Sequence, residues 1–162
     1  MKESIGGTWL LGLVVIFIVL FASFIAVAIN YTKAFRVKNE IINIIERDEG
    51  FITEKDANGG QTTEEKISDY LDRIGYNRGD LNIGCPKEIY GEDAKTGDGN
   101  NYCYKLITTS EYSPGSVKQG YYKVSTFVII DLPMLFDGSF TVPVSGETKL
   151  LHNIPSTASE GT

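Results

Sequence analysis

Apolar and polar residues are distributed very unevenly along this chain. From Thr8 to Ile29 no charged side chain occurs, and fifteen of those residues are Leu, Ile, Val or Phe. As a helix the stretch spans ~33 Å, which matches the ~30 Å hydrocarbon core of a bilayer. Side-chain transfer into lipid favours insertion by at most about 5 to 9 kcal/mol. The pattern therefore predicts a transmembrane helix over 8–29. Positions such as Leu10, Leu13, Phe17, Leu20, Phe24 and Val27 are expected to face lipid or a neighbouring helix.

The pattern then changes period without breaking. Residues 30–49 contain neither proline nor glycine. Ala34, Val37, Ile41 and Ile44 recur at steps of three and four, and Ile42 and Ile45 widen the stripe. This predicts an amphipathic extension over 30–50, stopped at Gly50, so that both parts form one rod of ~60 Å. The stripe is expected to pack on a domain built from 51–152. Thr62 and Glu65 fit a capping box, and Ile67, Tyr70, Leu71 and Ile74 share one helical face. Gly75 ends that second, short helix. Residues 77–101 are rich in Gly, Asp and Asn and read as irregular.

Period two takes over afterwards. A short strand carries Cys103. Residues 121–130 alternate, with Tyr122, Val124, Thr126, Val128 and Ile130 on one face and Lys123, Ser125, Phe127 and Ile129 on the other. Residues 140–151 form a last strand, in which Pro143 belongs at an edge or a bulge. The expected fold class is α+β: a long N-terminal helix, a second short helix and a three-stranded antiparallel sheet. Residues 1–7 read as a short polar leader and 153–162 as a disordered tail.

Charge and chemistry narrow the function. The net charge is −6, and residues 51–162 carry ten basic against sixteen acidic side chains. An acidic domain argues against nucleic-acid binding, which needs a basic face. The two cysteines, Cys85 and Cys103, form no CxxC pair, and His152 is the only histidine. That is too few ligands for zinc. A disulfide in an oxidising compartment accounts for them better than two buried thiols, and would stabilise by roughly 3 kcal/mol. No GxSxG, HExxH, P-loop or GxGxxG pattern occurs, and a lone histidine beside an edge strand does not make a triad. No catalytic residue, cofactor, metal or small-molecule substrate is assigned. Asp93, Asp98 and Asn100 offer oxygens for calcium, but without EF-hand spacing. The sequon at Asn30-Tyr31-Thr32 abuts the bilayer. Tyr121, Tyr122, Phe136 and Phe140 serve either as core or as partner surface.

Three fates are open to the apolar stretch. Ala26, Val27 and Ala28 make an A-x-A cleavage site, although the apolar core before it is long for a signal peptide. The stretch can instead stay as a plain anchor. In the third, a leader ending at Gly7 is trimmed and the helix remains. Orientation divides in the same way. Lys33, Arg36 and Lys38 follow the span and favour a cytoplasmic domain by the positive-inside rule, whereas the cysteine pair and the acidic domain favour the outside. The outside is taken here, on a single-pass protein of the cell membrane.

A polar leader ending in Gly6-Gly7, an apolar helix running into an amphipathic one, and a strand meander with a cysteine pair together resemble type IV pilin-like proteins. The order is most similar to the TadE-type minor pseudopilins of tight-adherence systems. The closing run "YYKVSTFVIIDLPMLFDGSFTVPVSGETK" carries part of the likeness. The resemblance implies a prepilin peptidase cutting after Gly7 to leave Thr8 first. It also implies partners in the bilayer, other pilin-like subunits and an assembly platform, with the protein in a surface filament or secretion apparatus. Family members usually carry a glutamate five residues into the mature chain. Here that position is Gly12, which fits a minor or initiating subunit, or a membrane-anchored relative that is never processed, better than a major one.

Overall fold

The computed structural model describes residues 2–55, 59–76, 84–91, 94–97, 101–108, 119–131, 139–152 and 154. The two apolar patterns at the N-terminus form one unbroken helix, α1, over Lys2–Arg47. At 1.5 Å per residue it is about 69 Å long, and it includes residues 2–7 of the expected leader. Its end is set by a Schellman turn: the Glu49 N–H donates to the Glu46 carbonyl and the Gly50 N–H reaches back to Ile45 at 3.0 Å. The left-handed position of this turn is filled by Glu49, at φ 55°, rather than by glycine. The turn folds the chain back and buries Phe51, which stacks on Tyr104 with ring centroids 4.2 Å apart.

α2 (Thr63–Ile74) starts with the capping box that the sequence predicts. Glu65 N–H donates to Thr62 Oγ1 at 3.2 Å, and Thr62 N–H donates to Glu65 Oε2 at 3.1 Å. Gly75 closes the helix at φ 60°, a conformation that costs a residue without Cβ little. Ile67 and Leu71 are buried, while Tyr70 and Ile74 are half-buried at the edge of the same face. Asp48 ties the start of α2 to the end of α1. It accepts from Thr63 Oγ1 at 2.8 Å and from Lys66 Nζ at 2.7 Å.

Among the described residues the sheet has five strands rather than three. β1 (Lys95–Gly97), β2 (Tyr102–Thr108), β3 (Gln119–Asp131) and β4 (Ser139–Glu147) lie in that order, all antiparallel, and β5 (Leu151–His152) also pairs with β3. The extra β1 comes from the stretch expected to be irregular. It fits because Gly97, opposite Tyr102, leaves room for that tyrosine's ring, which a Cβ would strike. β5 is the far end of the expected last strand. Register with β3 holds to Thr148, whose backbone and side chain both bond Tyr122, and slips by one residue before Leu151. A bulge thus divides one predicted strand into two. Pro143 sits on β4, opposite Phe127 on the edge strand.

Both faces of β3 are covered. Tyr122, Val124, Thr126 and Val128 turn to the α1 side of the sheet and join the stripe Ala34, Val37, Ile41, Ile44 and Ile45, every one of them buried. Contact is close enough for Thr126 Oγ1 to donate to the Ala34 carbonyl of α1 at 2.9 Å. On the opposite face Ser125 and Phe127 lie under α3 (Lys87–Tyr90), where Tyr90 and Cys103 complete a second apolar cluster. The Tyr90 hydroxyl donates to Ser125 Oγ. Cys85 and Cys103 are joined by a disulfide with Cα atoms 5.7 Å apart, which fastens α3 to β2. Ile154, within the expected tail, is buried against the main core.

Candidate functional site

α1 has two halves with opposite surroundings. From Ala34 onward its stripe is sealed into the domain. Before that, the apolar window is wholly unburied within the molecule. Leu10, Leu13, Phe17, Leu20 and Phe24 are all more than half exposed, and Phe24 reaches 73 %. Val27 is half-buried. Unpartnered apolar surface of this extent is costly in water, and the helix is long and apolar enough to cross a membrane. Gly7 and Thr8 lie inside the same helix, both exposed.

Just beyond the apolar half comes a basic collar. Residues 30–39 hold Lys33, Arg36 and Lys38 and no acid, whereas the chain beyond them holds twenty acidic and eleven basic residues. Lys38 turns inward. Its stem crosses Gly146, whose missing side chain makes the room, and its ammonium lies 4.2 Å from the Phe35 ring centroid. Lys33 donates to the Gly75 carbonyl at the end of α2 at 3.1 Å, tying the two helices together. Arg36 stays exposed beside Tyr70.

This tie creates a groove of about 740 Å³ between α1 and the last turns of α2. Phe21, Phe24, Ile25, Ala28 and Ile29 form its apolar end, Tyr70 and Ile74 its wall, and Thr32, Lys33 and Arg36 its polar end. A second cavity, of about 180 Å³, lies on the other flank of Lys33, beside Asn30, Tyr76 and Phe127. There the Tyr76 hydroxyl donates to the Phe127 carbonyl at 2.7 Å and accepts from its N–H at 3.0 Å. The sequon side chains are engaged: Asn30 Nδ2 donates to the Ile129 carbonyl and Thr32 Oγ1 to the Ala28 carbonyl.

Burial marks the domain's tyrosines rather than any acid–base pair. The Tyr104 phenol is pushed up to about 12 by burial first and by nearby Glu64 and Tyr122 second. Tyr90 and Tyr122 are raised by the same cause. Among the described residues no group of three metal-ligating side chains converges. Asp93, Asp98, Asn100 and Phe136 lie outside the described residues, as does the Phe140 side chain. Tyr122 is core and Tyr121 half-buried.

No family model matches the chain, and no match is found among curated proteins or solved structures. The groove itself has no local signature in the sequence: Lys33 and Arg36 read as an orientation signal, and Tyr70 and Ile74 as part of one apolar face of α2. The available signal was the run of ten residues with three cations and no acid.

Proposed function

We propose that this chain is a membrane-anchored, pilin-like structural subunit, with its domain outside the cytoplasm, and that it contributes to a cell-surface filament or secretion apparatus as a minor pseudopilin. One observation carries the reading: a single helix is core for the domain along one half and bare apolar rod along the other. Such a helix can hold a folded domain at a membrane, and can exchange lipid for sibling helices without refolding. The bilayer, other pilin-like subunits and an assembly platform are the partners this implies; catalysis is not part of the role. The disulfide supports an oxidising compartment for the domain.

A second reading, a single-pass anchored interaction domain that never polymerises, is favoured by Gly12. With no acid in the span, a neighbour's terminal amine would have no counter-charge inside the membrane. The intact mass of the mature protein separates these. A first residue of Thr8 supports the pilin-like subunit and Met1 the simple anchor. A chain beginning at Ile29 and found in solution would end both.

A further inference from the structure

We propose that the groove between α1 and α2 holds one anionic phospholipid, its acyl chain along Phe24 and Ala28 and its phosphate between Lys33 and Arg36. This rests on the membrane-anchored reading above. The chemistry of the groove changes along its length in the order that a phospholipid requires. Its lower end is built from the apolar half of α1, and its upper end carries two cations. Lys33 lies about 6 Å along the helix beyond Ile29, within the ~5 to 7 Å headgroup layer next to the hydrocarbon. Arg36, about 10 Å beyond Ile29, has its Cα–Cβ bond tilted back towards that layer.

Charge selects the occupant. Among the described residues neither Lys33 nor Arg36 is in an ion pair, although Glu40, one turn above Arg36, also acts on the Tyr70 wall. Lys33 spends one donor on the Gly75 carbonyl and keeps two. A guanidinium and an ammonium side by side suit a phosphate diester, which Arg can grip with two parallel bonds. A zwitterionic lipid would bring its own cation into the same collar. A second copy of α1 alongside at the same depth would bring three more basic residues and no acid between Thr8 and Asn39. Tyr70 and Ile74 wall the groove from the domain side, so that an acyl chain there leaves the bulk bilayer for a protein surface. The site also gives the collar a use in an outer leaflet, where the positive-inside rule does not account for it.

The test uses the full-length protein. Flotation with pure phosphatidylcholine vesicles first establishes membrane attachment independently of the site. If the protein does not float, the anchored reading and the lipid site both fall. In nanodiscs of equal phosphatidylglycerol and phosphatidylcholine, native mass spectrometry is expected to find one retained phosphatidylglycerol. Lys33→Gln with Arg36→Gln should lower its retention about thirtyfold, taking roughly fivefold for each basic side chain at an anionic surface. Ala28→Trp, which keeps both charges and fills the apolar end, should also release it, whereas Lys87→Gln with Lys95→Gln on the exposed domain surface should not. Glycerol phosphate, offering the headgroup alone, should not displace the lipid. Equal retention of both lipids, retention surviving Ala28→Trp, or a groove protected by a second copy in Ala28→Cys cross-linking would each overturn the site while leaving the anchor intact.

Discussion

At the scale of single residues, two positions hold the domain in ways that can be measured. Glu49 occupies the left-handed slot of the turn that ends α1, where a Cβ costs about 1 kcal/mol. Glu49 is exposed, so Glu49→Gly should raise stability by roughly 0.5 to 1 kcal/mol in denaturant unfolding; a loss would mean that its side chain serves the domain elsewhere. Tyr104 is the second position. Its phenol ionises at 10.0 when free and at about 12 when folded. A raised folded value contributes stability that is complete below the unfolded value. That contribution declines as pH climbs from about 10 towards 12, because the unfolded chain gives up the proton first. For this phenol the decline is at most about 1.4 kcal/mol per pH unit. Tyr104→Phe should make alkaline unfolding shallower, and ultraviolet titration should show Tyr90, Tyr104 and Tyr122 ionising with unfolding rather than before it. An unchanged slope in the phenylalanine variant would contradict this assignment.

At the scale of elements, what the sequence made legible is what local chemistry decides. The stripe Ala34, Val37, Ile41 and Ile44 is buried as its spacing requires, and Thr62, Glu65 and Gly75 bound α2 because caps act within a few residues. The alternation over β3 was legible too, although its second face looked half-polar and is in fact covered by Tyr90 and the disulfide. β1 was hidden because three residues carry no usable period; its pairing depends on β2 and on the space that Gly97 leaves. The bulge before β5 follows from the Thr148 bonds to Tyr122, twenty-six residues away. The groove was hidden for the same reason, since Lys33 meets Gly75 across forty-two residues. The disulfide also acts at this scale. Replacing Cys85 and Cys103 by serine should cost roughly 3 kcal/mol. Hydrogen exchange should speed up first in α3 and later in β3, whose other face is held by α1. Simultaneous loss of protection in both would show that the bridge holds the whole domain rather than one covering helix.

At the scale of the whole molecule, α1 is a bare apolar rod along one half and core along the other, and the division between the two falls at about Ala34. A chain starting at Asn30 keeps every buried residue of the stripe and sheds the exposed apolar half. It should be monomeric in water without detergent and melt cooperatively, since what it loses makes no core contact. A chain starting after Arg47 loses Val37, Ile41, Ile44 and Ile45, all buried. At ~1.5 to 3 kcal/mol for each side chain the loss is roughly 6 to 12 kcal/mol, comparable with the entire stability of a domain this size. That shorter chain should lack a cooperative transition and bind hydrophobic dyes. Size-exclusion chromatography and thermal circular dichroism on the pair decide the matter. If the shorter chain folds as well as the longer one, α1 is only a tether. The rod and the domain would then move independently, and a force or a lateral contact on the membrane half could not be transmitted to the sheet. If only the longer chain folds, the two halves are one rigid lever. Any partner that grips the exposed half then orients the disulfide-bonded domain directly.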